Sequence, residues 1–76
     1  MDTDAIRSIM SSINIDQSST VIENMDGLLK IYFTISRAAN ASEIVARMVE
    51  LIERAGGKVL EFSYRASDCS ISLSVV

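Results

Sequence analysis

The stretch VIENMDGLLKIYFTIS, residues 21–36, carries the clearest indication of fold in this chain. Asp26-Gly27 separates two β-prone runs, residues 20–25 and 28–36, and an Asp-Gly pair suits a type I′ turn because both central residues need positive φ. Apolar and polar side chains alternate along the second run, as in a strand with one buried and one solvated face. The stretch therefore predicts an antiparallel hairpin.

Residues 40–55 have the periodicity of an amphipathic helix. Asn40 followed by Glu43 has the spacing of a capping pair, with Ser42 as an alternative cap. Gly56-Gly57 should end the helix, because glycine accepts the left-handed conformation found after many helix termini. The apolar stripe of this predicted helix consists of Ile44, Met48, Leu51 and Ala55, widened by Val45, Val49 and Ile52.

The remaining segments complete the set of predicted elements. Residues 2–13 predict a short amphipathic helix, capped by Asp2 or Thr3. Residues 58–65 and 70–76 alternate as strands do. In the first of these strands the alternation predicts one shared face for Leu60, Phe62 and Tyr64.

The predicted order of elements is α-β-β-α-β-β, which places the chain in the α+β class. The economical packing is a two-layer sandwich, in which a four-stranded, mostly antiparallel sheet carries both helices on one face. We expect a single domain over residues 1–76, with an N-terminal helix and linker at 1–19 and a ββαββ body at 20–76. The sheet face without helices is called the outer face below.

Composition agrees with a small folded domain. Hydrophobic residues make up 49% of the 76 residues and charged residues 22%, which favours a packed core over disorder. A domain of this length buries only about 60% of the surface that its unfolded chain exposes. Self-association would therefore stabilise it.

The residue types present argue against catalysis. The chain has no histidine and a single cysteine, Cys69, which excludes an internal disulfide, zinc-finger ligand sets and histidine acid–base chemistry. Without histidine, only Lys30 or Lys58 could serve as the base that activates a serine, and both occupy predicted sheet positions that face water. The acidic residues are too dispersed for a metal-binding loop. Gly56-Gly57 follows a helix, whereas phosphate-binding loops precede one. We expect no enzyme, no catalytic residue, no cofactor and no metal site.

Charge and hydropathy exclude two further classes of partner. The formal charge is -3, and the seven basic residues are never adjacent, so direct nucleic-acid binding is not expected. No apolar run approaches the roughly 20 residues of a membrane span, and no signal-peptide pattern opens the chain. A lone cysteine suits a reducing compartment. We expect an intracellular protein, cytoplasmic or nuclear, without membrane association.

The outer face of the predicted sheet is the main candidate for an interaction surface. It combines small polar side chains with a few apolar ones, and two strands leave their backbone edges unpaired. Edge pairing or face packing with a second copy would bury this surface, and an ordinary solvated sheet is the alternative. The candidate interface residues are Lys30, Tyr32, Thr34, Val59, Glu61, Ser72 and Ser74.

Three segments share their hydrophobic pattern and order with a known family: VIENMDGLLKIYFTIS at 21–36, SEIVARMVELIERAGGKVLEFSY at 42–64 and CSISLSVV at 69–76. Together they resemble ACT and ACT-like domains, which are ferredoxin-like regulatory modules. The most similar form is the strand–strand–helix–strand–strand domain that follows the basic helix-loop-helix region of many plant transcription factors. There the domain dimerises and binds no DNA itself. The resemblance thus implies a regulatory dimerisation module, such as one within a transcription factor.

The resemblance also bears on ligands. The usual amino-acid-binding ACT domain has a glycine-containing loop between its first strand and first helix. Here Arg37-Ala38-Ala39-Asn40 fills the comparable connection without glycine, so a small-molecule ligand is not expected.

Three functional hypotheses follow. The leading one is a non-enzymatic protein–protein interaction module that acts by homodimerisation or by docking a partner. The first alternative is a small-molecule sensor of the ACT type, with an amino-acid-like ligand bound between subunits near residues 37–40. The second is a small acidic inhibitor of the phage type, which occupies the binding surface of a foreign protein.

Overall fold

The chain forms an α+β structure with a four-stranded antiparallel sheet and two helices, in a computed structural model that describes all residues 1–76. This confirms the predicted class and sheet type. The strand order in the sheet is β1-β2-β4-β3, and all three pairings are antiparallel. The elements are α1 (Thr3–Ser12), a 3₁₀ turn (Gln17–Ser19), β1 (Val21–Met25), β2 (Leu28–Thr34), α2 (Ala41–Arg54), β3 (Val59–Arg65) and β4 (Ser70–Val75).

The β1–β2 hairpin turns at Asp26-Gly27, as predicted. Both residues have positive φ, 54° and 90°, which is the type I′ geometry. The Asn24 side-chain oxygen accepts a hydrogen bond from the Gly27 N–H at 3.1 Å. Local residue chemistry therefore sets both the turn type and the register that follows, with Met25 opposite Leu28.

Both helices begin at a side-chain cap. The Asp2 carboxylate accepts from the Ala5 N–H at 2.8 Å, and the Asn40 side-chain oxygen accepts from the Glu43 N–H at 3.2 Å. Ser42, the alternative cap in the sequence, instead donates its hydroxyl to Asn40 at 2.9 Å. No helix in the structure combines the length and apolar character needed to cross a bilayer.

The C-terminus of α2 is closed by the two glycines. Gly56 has φ +92°, and its N–H donates to the Glu53 carbonyl at 3.1 Å. The Gly57 N–H donates to the Ile52 carbonyl at 3.0 Å. This pair of hydrogen bonds is the Schellman motif, which satisfies carbonyls that the helix itself leaves free.

A single core cluster joins the helices to one face of the sheet. On α2 the centre of the buried stripe is Val45, Met48 and Ile52, whereas the sequence placed Leu51 and Ala55 there; Leu51 is only half-buried and Ala55 is exposed. Apolar residues cover a wide arc of α2, so their spacing in the sequence does not determine which of them are most buried. Packing against the sheet and α1 determines this. The buried cluster consists of Ile6, Met10, Leu29, Ile31, Phe33, Val45, Met48, Ile52, Ile71, Leu73 and Val75.

Candidate functional site

The β3 strand is the most accessible element of the sheet. It pairs with β4 on one side and has no strand on the other, so half of its backbone N–H and C=O groups lack a partner strand. Every residue of β3 after Val59 is exposed. Three of these are large apolar residues: Leu60 (52% exposed), Phe62 (59%) and Tyr64 (45%).

A bulge near the start of β3 decides which way its side chains point. Val59 lies opposite Val75 and Glu61 lies opposite Ser74, so Leu60 is an extra residue in the ladder. Beyond the bulge the alternation is shifted by one residue. Phe62 then lies opposite Leu73, on the helix side of the sheet. The predicted shared face of Leu60, Phe62 and Tyr64 is therefore wrong for Leu60.

An apolar groove of about 420 Å³ lies between β3 and α2. Phe62 and Tyr64 form one wall, while Val45 and Val49 of α2 contribute to the other. All of the α2 residues that line the groove have short side chains: Ala41, Ser42, Val45, Ala46 and Val49. We call this feature, with the free edge of β3, the β3 surface.

The outer face carries six of the seven residues predicted as an interface. Val59 is the exception: it packs against the core cluster, because it lies before the bulge and opposite buried Val75. Its predicted place on the outer face is wrong. The strand pairings bring the other six together on the outer face: Lys30, Tyr32, Thr34, Glu61, Ser72 and Ser74.

Hydrogen bonds within the outer face use part of its polar surface. Ser74 is only 8% exposed, and its hydroxyl donates to Glu61 Oε1 at 3.4 Å. The hydroxyls of Ser63 and Ser72 lie 2.6 Å apart. Ser74 therefore offers little accessible surface to a partner, whereas Tyr32 and Thr34 remain exposed.

The β1 strand forms the opposite edge of the sheet. Val21 and Met25 are exposed at its two ends. Glu23 lies at its centre, opposite Lys30 of β2 and therefore on the outer face. This edge thus carries a charge at the middle position of its free strand.

The β3–β4 loop contains the only cysteine, Cys69, and two ionisable groups in or next to this loop, Asp68 and Tyr64, have shifted pKa values. The hydroxyl of Ser70 donates to Asp68 Oδ1 at 2.7 Å and, with Arg65 nearby at 3.9 Å, lowers the pKa of that carboxyl. Partial desolvation raises the pKa of the Tyr64 hydroxyl, with a further contribution from Cys69. Cys69 is buried and its backbone carbonyl accepts from the Ile35 N–H at 2.9 Å.

Arg65, the last residue of β3, pairs with Asp68 of the β3–β4 loop, with 3.9 Å between Arg65 Nε and Asp68 Oδ1. No three acidic or cysteine side chains converge on a point where a metal ion would be held.

A smaller cleft, of about 220 Å³, lies beside the loop predicted for ligand binding in a sensor. Ile35, Ser36 and Ala39 contribute one side of it, and Ile13 and Ile44 contribute to the other. Its lining combines isoleucine side chains with a few polar groups.

Sequence reasoning did not identify the groove or the exposure of Phe62. The alternation of residues 58–65 predicts a strand, but it does not show how much of that strand the helices cover.

Comparison of the chain with protein-family models, with curated proteins and with solved structures found no match.

Proposed function

We propose that this protein is a non-enzymatic interaction module that acts through the β3 surface, by homodimerisation or by docking a partner protein. The observation that carries the proposal is the exposure of Phe62 and Tyr64 beside an apolar groove on an unpaired edge strand. Isolated exposed apolar residues are common on proteins, but a groove with apolar walls on both sides is typical of a binding surface.

Two physical contributions favour binding at this surface. Fully burying a large apolar side chain contributes about 1.5–3 kcal/mol, so covering the exposed half of Phe62 and of Tyr64 offers on the order of 1 kcal/mol each. An added strand would also satisfy the free backbone groups of β3, which is the mode called β-augmentation. An extended segment is therefore the expected binding element.

For the fold, we propose the ferredoxin-like, ACT-like architecture. The strand order supports it: α2 connects β2 to β3, and β4 lies between these two strands. A split β-α-β unit of this kind is a characteristic part of ferredoxin-like folds. In this proposal the module is regulatory and works through its contacts with proteins.

A small-molecule sensor is the second candidate, favoured by the cleft beside residues 37–40. Its test is a thermal-shift screen against amino acids, because a ligand that binds only the folded state raises the unfolding temperature. A saturable shift that is lost in Ala39→Trp, a change that would fill the cleft, would support the sensor. Its absence across the amino acids would exclude this candidate.

The interaction proposal is tested by selecting random peptides on the immobilised folded domain. We expect enrichment of extended peptides with alternating apolar residues, and loss of their binding to the Phe62→Ser/Tyr64→Ser variant. The matched control is Val21→Ser/Met25→Ser, which removes two exposed apolar residues from the other edge strand. Peptides that bind the β3 variant as well as the parent, or the failure of any peptide to enrich, would contradict the proposal.

A further inference from the structure

We infer that the occupant of the β3 surface is a second copy of this chain, with the two β3 strands paired antiparallel about Ser63. This inference rests on the proposed function and specifies its partner and register. It comes from the sequence of the strand beyond the bulge, Glu61-Phe62-Ser63-Tyr64-Arg65, and from the faces on which the structure places these residues.

The bulge fixes the part of β3 that can pair. Because Leu60 interrupts the ladder, the regular segment runs from Glu61 to Arg65, and its central residue is Ser63. A twofold axis perpendicular to the sheet keeps each side chain on its own face. Centring that axis on Ser63 is the arrangement that pairs the whole regular segment of one copy with that of the other.

On the outer face this register opposes unlike charges. Glu61 lies opposite the partner's Arg65, and by symmetry Arg65 lies opposite the partner's Glu61. Both side chains are on the outer face, since they lie opposite Ser74 and Ser70 of β4. Opposite charges directly across two strands stabilise the pairing, and between them the two small Ser63 side chains meet without a steric conflict.

On the helix side the same register opposes aromatic residues. Phe62 lies opposite the partner's Tyr64, and the reverse pair forms across the axis. Both residues project on the side of Leu73 and Ile71, where each lines the groove beneath α2. The grooves of the two copies would then adjoin, so that four aromatic rings cover the exposed apolar walls of both. Aromatic cross-strand pairs are among the more stabilising ones.

The other edge of the sheet does not have this complementarity. The central residue of β1 is Glu23, so the equivalent symmetric pairing would place two glutamates opposite each other. Like charges in that position are destabilising, and charged residues are a common protection of edge strands. The chain therefore has one self-complementary edge and one protected edge.

The first test exchanges charges within β3 and follows the molecular mass by light scattering over about a hundredfold range of concentration. We expect a dimer near twice 8.3 kDa at high concentration. In Glu61→Arg, the new arginine of each copy lies opposite Arg65 of the other copy, so like charges face each other at both ends of the segment. The dimer dissociation constant should rise about tenfold. Glu61→Arg/Arg65→Glu restores both pairs with the signs reversed and should return the affinity to near its parent value.

The matched control is Glu23→Arg, which makes the same change at an exposed glutamate of the other edge strand. It should leave the dimer affinity unchanged.

A second, independent readout is oxidative cross-linking. Ser63→Cys places two thiols opposite each other at the axis, about 4.5–5.5 Å apart at Cβ, and a disulfide-linked dimer should form. Ser72→Cys, on the central strand β4, should give none.

The outcomes separate this inference from the function on which it rests. A dimer that is insensitive to Glu61→Arg, or that is not restored by the double exchange, overturns the proposed register. A monomer at every concentration overturns the second copy as the occupant. In either case the interaction function is decided by the peptide selection described above, which does not depend on dimerisation.

Discussion

Phe62 lies directly opposite Leu73 on the same face of the sheet, yet Phe62 is 59% exposed and Leu73 only 2%. The two side chains belong to neighbouring strands but have different surroundings. Leu73 belongs to the buried core cluster that includes residues of both helices, whereas Phe62 lines the groove beside α2. The fold thus leaves three large apolar side chains exposed on one edge strand, β3: Leu60, Phe62 and Tyr64.

This difference predicts different effects of the same substitution. Leu73→Ser removes a buried side chain and leaves a cavity and an unpaired hydroxyl, which should cost about 3–5 kcal/mol of unfolding free energy. Phe62→Ser should cost less than about 1 kcal/mol at concentrations where the protein is monomeric. Urea unfolding of both variants provides the comparison. Equal losses would mean that Phe62 is buried in solution, against the structure.

Met48 is fully buried at the centre of the α2 stripe. Met48→Asp would place an unpaired carboxylate in the core, and we expect the domain to unfold. The neighbouring Arg47→Asp is the control, because Arg47 is exposed and its pairing with Glu50 at 3.4 Å contributes little. Circular dichroism should show a folded Arg47→Asp variant and an unfolded Met48→Asp variant; a folded Met48→Asp variant would show that the assigned helix face is wrong.

Removing the N-terminal cap of α2 should lower the unfolding free energy by less than the core substitutions do. Asn40→Ala removes the acceptor for the Glu43 N–H and should lower the unfolding free energy by about 1 kcal/mol. Asn40→Asp keeps an acceptor oxygen at the same place and should retain most of the stability. Thermal unfolding followed by circular dichroism distinguishes the two. If both variants lost the same stability, the cap would not be the reason.

Two carboxylates should make the folded state sensitive to acid. Hydrogen bonds from the backbone N–H and hydroxyl of Ser18 lower the pKa of Asp16, and hydrogen bonds from Ser70, with the charge of Arg65, lower the pKa of Asp68. A folded-state pKa below the unfolded value stabilises the fold above the unfolded pKa, and this stability is lost as the pH falls through the folded pKa.

The corresponding variant is Asp16→Asn/Asp68→Asn, which keeps a side-chain oxygen at each acceptor position but cannot titrate. Its unfolding free energy should fall less steeply than that of the parent between about pH 6 and about pH 2. Urea titrations at several pH values measure this slope. Identical slopes for the two proteins would show that these carboxylates do not have depressed pKa values in solution.

Features set by local chemistry could be predicted from the sequence. The turn at Asp26-Gly27 and the cap at Asn40 depend on residues within a few positions, and the structure has both. Exposed ion pairs along α2 are less predictable: Arg47 lies four residues after Glu43 but pairs with Glu50, which Arg54 also contacts at 2.6 Å. Flexible exposed side chains have several partners of similar energy.

The properties of β3 depend on distant parts of the chain and were not predictable in this way. The bulge arises from its register with β4, where Lys58 exchanges backbone hydrogen bonds with Val76 and the next regular pair after Val59 begins at Glu61. Alternation in the sequence does not reveal such an extra residue. Without the bulge, Val59 would have shared the outer face with Glu61, as the sequence suggested.

The most direct test of association through β3 is a series of amide ¹H–¹⁵N spectra recorded over about a hundredfold dilution. We predict concentration-dependent shifts for residues 61–65 and for the α2 residues that line the groove, Val45 and Val49, with β1 unaffected. Shifts confined to β1, or to outer-face residues of the central strands such as Tyr32 and Ser72, would place the contact elsewhere. Spectra that do not change with concentration, combined with no peptide bound at this surface, would contradict the account.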